Sequence, residues 1–379
     1  MPKPWPVLVM TQDLDIGGCQ RDLTKLALGI DRGRFEPHVG CFRFTGVRLE
    51  ELRRNGIPIV HFPVYSFRSP HALRAARQMG RYIREHGIQL VHTFDVPTTV
   101  FGAPVARWYR TPAFVSSQLS FRDLYSGFFQ RLLRVSDRLS DRIVINCEAV
   151  GRDLERRGAP RERLYLCYNG VDTSRFYPDR SSRPHPGASL VIGVAAGLRP
   201  EKGVDLLIRA FAAIAADNRD IKLLIVGDGP LRAELANLSD SLGVRDQVLL
   251  QPGAPNVEDW LREVDIFVLP SHSESFSNAL LEAMACGCCA IGSRVGGTPE
   301  LIADGRTGLL FAPGDVDDLA RKLRLAIEDR SLRERLGAAA ASFAHQSLSL
   351  ERFVRRLEDL YAGLIEGAMA GRSRRPAAA

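Results

Sequence analysis

Short apolar runs alternate with helix-patterned segments along the whole chain, and they do so in two separate series. The first comprises Pro6–Thr11, Val39–Phe44, Gln89–Thr93, Ala113–Ser116 and Arg142–Asn146. The second comprises Val191–Ala195, Lys222–Val226, Val248–Gln251, Ile266–Pro270 and Ala290–Ser293. Such alternation demands parallel strands with helices packed on both faces of the sheet. The series are separated by Asp179–Ala188, D-R-S-S-R-P-H-P-G-A, which has the composition of a linker. A length of 379 residues also suits two domains better than one. The predicted organisation is α/β: a first domain over 1–178, a linker over 179–188 and a second domain over 189–348. A final helix follows within 349–370, with Phe353, Leu357, Leu360, Tyr361 and Leu364 at helical spacing. The tail 371–379, G-R-S-R-R-P-A-A-A, is expected to be disordered and basic.

Composition narrows the class. The chain is 45% hydrophobic and 25% charged, as a soluble globular protein is. No apolar run approaches the roughly 18 residues of a spanning helix. Met1–Met10 lacks the apolar core and cleavage site of a signal peptide, so a cytoplasmic location is expected. Cys286, Cys288 and Cys289 crowd together, but no His or Cys pair at ligand spacing completes a metal site. They are expected to be small buried residues. The net charge of +7 divides into +10 over residues 1–175 and −3 over 176–379. A basic first half suits an anionic partner: a membrane surface or a lipid-phosphate acceptor. Nucleic acid is not expected, since no module signature for it is present. Arg74, Arg77, Arg81 and Arg84 share one helix face, with Leu73, Ala76 and Ile83 on another. Between Phe121 and Arg142, Phe128, Phe129, Leu132, Leu133 and Leu139 interleave with Arg131, Arg134 and Arg138. These segments read either as interfacial helices on anionic lipid or as core helices with a solvated basic face.

The stretch Ser271–Gly297 carries the clearest chemistry. It sets Glu274 and Glu282 eight positions apart, after the strand Asp265–Pro270. Glu274 falls in a strand-to-helix loop and Glu282 about a turn inside the helix. A helix N-terminus offers unpaired N–H groups and partial positive charge to a phosphate, and a nearby carboxylate accepts hydrogen bonds from vicinal hydroxyls. The stretch closely resembles the E-x7-E signature of retaining glycosyltransferases of family 4, which have the GT-B fold. The resemblance extends over nearly the whole chain. Gly197–Gly203 resembles the family's G-R-x-x-x-E-K-G element, with the arginine one place later. Gly227-Asp228-Gly229-Pro230 resembles its V-G-D-G-P turn, and Gly296–Glu300 its V-G-G-x-P-E element. Gly17-Gly18 resembles its glycine loop, and Asn169–Asp172 with Phe176 and Pro178 its interdomain segment.

The resemblance implies two Rossmann-like domains facing across a cleft, with the C-terminal helix returning to the first. It implies that Glu274 contacts the transferred sugar, and that Arg199 and Lys202 neutralise the diphosphate leaving group. Backbone N–H groups of Phe276, Ser277 and Asn278 would hold the diphosphate, Glu282 the ribose, and Gly17 and Gly18 would approach the donor. Gly253–Asn256 would lie beside the base. Glu300 either buttresses the site or is structural. No metal and no other cofactor are expected; Asp13-Leu14-Asp15 and Asp315-Val316-Asp317 are D-x-D tripeptides of the kind that arise by chance. One departure stands out. Many members carry a histidine after the strand equivalent to Ala113–Ser116, and here Gln118 or Ser117 takes that place. Neither is a general base near neutral pH, so the acceptor side falls to Gln118 and to His92, which is either near the cleft or structural.

The activity implied is retaining transfer of a hexosyl-type sugar from a nucleotide-diphosphate sugar, such as a UDP-sugar. The acceptor would be a cell-envelope or polysaccharide glycan or a lipid-linked one, reached at the inner face of the membrane. A nucleotide-sugar 2-epimerase and a non-catalytic sugar-nucleotide-binding protein are the alternatives.

Overall fold

The computed structural model describes residues 3–67, 69–179, 190–253 and 256–373. The expected linker from Arg180 onward, Ala254-Pro255 beside the expected base, and the tail from Arg374 lie outside the described residues. Contacts divide the chain into two compact units, Met1–Gly170 with Leu350–Ala379, and Val171–Ser349. The α/β architecture expected from the alternation is present in each.

The first unit is built on seven parallel strands: β1 (Trp5–Thr11), β2 (Phe35–Cys41), β3 (Ile59–His61), β4 (Leu90–Thr93), β5 (Ala113–Gln118), β6 (Arg142–Ile145) and β7 (Leu164–Leu166). Their order is β3-β2-β1-β4-β5-β6-β7. β1 shows why this sheet needs cover on both sides. Successive side chains point to opposite faces, so Val7 and Val9 join one core and Leu8 and Met10 the other, all four essentially unexposed. The second of these cores includes Ala75, Met79 and Ile83 of the helix Pro70–Glu85. The first is closed by the final helix, Leu350–Ser373. Its Phe353, Leu357, Leu360, Tyr361 and Ile365 pack among Leu23, Leu26 and Phe35. Each fully buried leucine there contributes about 1.5–3 kcal/mol of transfer free energy.

The second unit carries six parallel strands: β8 (Leu190–Ala195), β9 (Ile221–Val226), β10 (Val248–Gln251), β11 (Ile266–Leu269), β12 (Cys289–Ser293) and β13 (Leu309–Phe311). The order is β10-β9-β8-β11-β12-β13. Both sheets therefore reverse direction of growth at one point, between β1 and β4 in the first and between β8 and β11 in the second. Cys286, Cys288 and Cys289 are buried as expected. No helix among the described residues is long and apolar enough to cross a membrane.

Candidate active site

Open α/β sheets take ligands beyond the carboxyl ends of the strands, at the point where strand order reverses. In the second unit the loops after β8 and β11 flank that point. The loop after β8 ends in a tight turn, Pro200–Lys202, before the helix Val204–Ala215. Gly203 then takes φ of +61°, and a Cβ there would stand 2.3 Å from the Pro270 carbonyl oxygen. Only glycine lets the loop press this closely on the end of β11. The His272 N–H donates to the Glu201 carbonyl at 2.9 Å. These contacts bring Lys202 Nζ to 2.7 Å from Glu274 Oε2, with Ser271 Oγ 3.5 Å from the same oxygen. The pair is largely withdrawn from water, where attraction between charges is stronger than at a surface.

Neighbouring loops are fastened in turn. Gly227 (φ of +146°) lies against the Ala196 carbonyl, and the Leu198 N–H donates to the Asp228 carbonyl at 2.9 Å. Asp228 Oδ2 accepts from the Gly253 N–H at 2.9 Å. Past β12, the Gly297 N–H donates to the Ser275 carbonyl at 2.8 Å. The helix Asn278–Ala285 begins immediately after this meeting of loops. Ser277 caps it, its Oγ accepting from the Leu280 N–H at 3.2 Å, and Phe276 is buried just before it. Glu282 lies on its second turn with only 3% exposure. Arg175, bound to Glu258 at 2.8 Å, is within electrostatic reach of Glu282, and the Glu258 hydrogen bond raises its already high pKa. Arg199 stands apart: it is mostly exposed and pairs with Glu201 at 3.0 Å. Lys202, Glu274, Phe276, Ser277 and Asn278 thus lie on loops joined to one another. Ser271 joins them without having been singled out from the sequence.

The first unit handles its reversal point differently. Gly17 precedes the helix Gly18–Gly29 in extended backbone, and no side chain caps that helix. Asp13 Oδ1 accepts from Gln20 Nε2 at 2.9 Å within the same loop. Asp95, after β4, caps the helix Val96–Trp108 through the Thr98 N–H and accepts from the Gln12 N–H at 2.6 Å and Thr11 Oγ1 at 2.9 Å. Burial pushes its carboxyl upward and these hydrogen bonds pull it back. Among the described residues no group of three or more His, Cys, Asp or Glu side chains could hold a metal ion.

Two residues expected on the acceptor side lie buried inside the first unit. His92 has no exposure; its Nδ1 meets Tyr361 Oη at 2.5 Å and its Nε2 meets Ser117 Oγ at 2.7 Å. Burial drives its pKa down to about 3, so it is a neutral core residue tying β4 to β5 and the final helix. Gln118 is also buried. Its Nε2 donates to Asp137 Oδ1 at 2.7 Å, and its Oε1 accepts two bonds from Arg122 at 2.8 and 2.9 Å. Arg122 in turn binds both oxygens of Asp137 at 2.7 and 2.8 Å, and neither partner reaches solvent. Burial raises the Asp137 carboxyl above its ordinary range, against the pull of Arg122. Gln118 therefore joins a buried ion pair, with both its amide nitrogen and its amide oxygen engaged there. Beyond it, Ser120 Oγ and Tyr125 Oη meet at 3.0 Å, both half-buried.

Comparison with known proteins agrees with this geometry. Residues 178–343 match the family described as glycosyl transferases group 1, and residues 16–175 match glycosyltransferase family 4. The chain is 26% identical over 330 residues to the N-acetyl-alpha-D-glucosaminyl L-malate synthase of Bacillus anthracis, covering 84% of each. It is 30% identical over 274 residues to the sulfoquinovosyl transferase SQD2 of Arabidopsis thaliana, a match covering 66% of this chain and about half, 52%, of that relative. HepE of Anabaena, solved with UDP, superposes with a TM-score of 0.82 at 21% identity, over 94% of this chain and 100% of HepE. The last likeness establishes the GT-B fold.

Proposed function

The chain belongs to the glycosyl transferases group 1, with a family 4 glycosyltransferase first half, and from that membership we propose that it is a retaining hexosyltransferase using a UDP-sugar. The acceptor is a cell-envelope or polysaccharide glycan, lipid-linked acceptors included, met by a cytoplasmic enzyme at the inner face of the membrane. The observation that carries the reading is the Lys202–Glu274 pair at 2.7 Å, held between stapled loops at the entrance to the Asn278 helix. It supports reading Lys202 as the cation for the departing diphosphate and Glu274 as the carboxylate for the sugar. HepE, solved with UDP and with UDP-glucose, supports the choice of nucleotide.

In this reading Lys202 and Arg199 offset the charge growing on the leaving diphosphate, aided by the N–H groups of Phe276, Ser277 and Asn278. Glu274 holds sugar hydroxyls and favours positive character at the anomeric carbon, and Glu282 binds the ribose hydroxyls. Gly17 and Gly18 leave room for the donor. The bond from the anomeric carbon to the phosphate oxygen breaks while the acceptor oxygen bonds on the same face, and the acceptor proton passes to the departing phosphate. That route requires no protein base, in keeping with the sequestered His92 and Gln118. The positive groups take the place of a metal, so a chelator leaves the rate unchanged.

The test is nucleoside diphosphate release across a panel of donors, with wild type and Glu282→Ala side by side. Release by wild type and its loss in the variant are expected. Equal release by both would remove Glu282 from the site. Neither release nor thermal stabilisation with any donor would remove the transferase reading; ligand at about 100 times its Kd adds about 2.7 kcal/mol and would be visible.

A further inference from the structure

The segment Asp172–Pro178 precedes the first strand of the second unit and is folded onto that unit by polar groups. Asp172 Oδ1 accepts from the Ser174 N–H at 3.0 Å and from Ser174 Oγ at 2.6 Å, and the Phe176 N–H donates to the Asp172 carbonyl at 2.9 Å. An aspartate bonded to the backbone two residues on makes a turn of this kind. Two side chains then fasten the turn. Arg262 Nη2 donates to the Arg175 carbonyl at 2.7 Å, and the Arg262 guanidinium lies 4.6 Å over the Tyr177 ring. His345 donates from Nε2 to the carbonyls of Phe176 and Ala285, 3.1 Å each. Ala285 is the last residue of the helix Asn278–Ala285, so this bond ties the segment to the helix that carries Glu282.

Arg175 is aimed from this turn. Its Nε and Nη2 both donate to Glu258 Oε1, at 3.2 and 2.8 Å. Glu258 lies in the first turn of the helix Val257–Glu263, which packs against Asn278–Ala285. The ends of the two helices are joined as well, where Cys288 Sγ donates to the Leu261 carbonyl at 3.3 Å. Glu282 and Cys286 are one turn apart and share a helix face. Cys286 is within electrostatic reach of Arg262, Glu282 and Glu258, and Arg175 is within reach of Glu258, Asp172 and Glu282. Two largely buried carboxylates therefore stand near one another, and Glu258 Oε2 has no hydrogen-bond partner among the described residues. Arg262 already pairs with Asp259 at 2.8 Å. Arg175 is the cation placed to offset Glu258 and Glu282 together. An ionised carboxylate only accepts hydrogen bonds, as vicinal hydroxyls require of it, and a cation within reach favours that form.

We propose that Arg175 is a positioning residue of the donor site: aimed by Glu258, it readies the Glu282 carboxylate for the ribose hydroxyls of the nucleotide. The inference rests on the preceding reading of Glu282 as the ribose ligand and adds the group that acts through it.

The experiment is calorimetric titration of the full chain with UDP and with 2′,3′-dideoxyuridine diphosphate, which has the same charge and no ribose hydroxyls. Wild type is expected to bind UDP at least about tenfold more tightly than the dideoxy compound, since the hydroxyls bond a charged group. Arg175→Met should cut that preference to about threefold or less by weakening UDP alone. Arg175→Lys, which keeps the charge, should retain most of it. Because Arg175→Met also strips Glu258 of its partner, Arg175→Met/Glu258→Gln is titrated beside it. The double variant should unfold near the wild-type temperature and still lack the preference. A full preference in either methionine variant overturns the proposal. Equal weakening of both nucleotides overturns it too, because a purely structural arginine would act on both alike. Wild type that binds the two nucleotides equally removes Glu282 as the ribose ligand and the proposal with it. Wild type that binds neither removes the UDP reading as well, so failure of the premise shows in wild type and failure of the proposal alone shows in the variants.

Discussion

Both units arrange their strands in the same order around one reversal point, but they use polar side chains there in opposite ways. In the second unit, Lys202 and Glu274 face each other on loops held by backbone contacts, so neither is needed to keep the loops in place. In the first unit, His92 is bonded to Ser117, and Gln118, Arg122 and Asp137 are bonded to one another, inside the protein. A shared topology therefore fixes where a ligand could enter, and the hydrogen-bond partners decide which unit has charge to offer it. Substitutions in the first unit's buried network should act on stability, and those at Lys202 and Glu274 on turnover.

The largest expected effect tests the structural half of that contrast. Arg122→Met strips the buried Asp137 carboxylate of its partner and should cost about 3–5 kcal/mol. Arg122→Met/Asp137→Leu should recover much of the loss, because an apolar pair replaces the charges together. Thermal and urea unfolding of both variants measures this. A single variant within about 1 kcal/mol of wild type would mean that water or another group reaches Asp137 after all.

The catalytic half is tested by Glu274→Gln, which keeps the size of the side chain and removes its charge. A loss of about 10²–10³ in kcat is expected, with the unfolding midpoint little changed. Lys202→Met should lower turnover too, and the double variant should lose less than the product of the two single losses because the side chains act on each other. A rate unaffected by Glu274→Gln would break the contrast, leaving both units with purely structural polar groups at the reversal point.

Much of this was legible in the chain itself, for identifiable reasons. Runs such as Ile266–Pro270 are long and apolar enough to declare a buried strand. The three strands missed, Ile59–His61, Leu164–Leu166 and Leu309–Phe311, sit at sheet edges and are too short to show a period. The motifs that contain Lys202 and Glu274 each follow a recognisable strand, which locates their loops in the fold. His92 and Gln118 could not be judged in the same way. His92 is sequestered by Tyr361, 269 positions away, and Gln118 by Arg122 and Asp137, whose burial nothing in their neighbours announces.

Gly203→Ala sharpens the comparison from the backbone side. The residue needs φ of +61°, and its new Cβ would meet Pro270. A stability cost of about 1–3 kcal/mol is expected. Because the same loop positions Lys202, turnover should fall further than in an equally destabilised variant of the first unit, such as one in the Arg122 network. Equal falls at matched stability would show that the loop contact does not set the Lys202–Glu274 geometry.

The smallest effect concerns pH. His92 has its pKa driven down to about 3 in the folded state by burial, against about 6.5 when unfolded. Between these values the unfolded chain binds a proton that the folded one refuses, so stability declines as pH falls through this window and is fully retained above it. From this group alone the loss between about pH 7 and about pH 5 amounts to about 2 kcal/mol. His92→Asn, which keeps polar atoms near Tyr361 and Ser117 but does not titrate, should be less stable at neutral pH and show a shallower acid slope. Measuring unfolding free energy at both pH values for wild type and variant isolates the slope from the packing loss. If the slopes are identical, His92 keeps an open path to solvent and returns to the list of groups a ligand could meet. If the variant's slope is shallower by the expected amount, the histidine of the first unit is a core residue in solution as well, and the chemistry at the reversal points rests with the second unit.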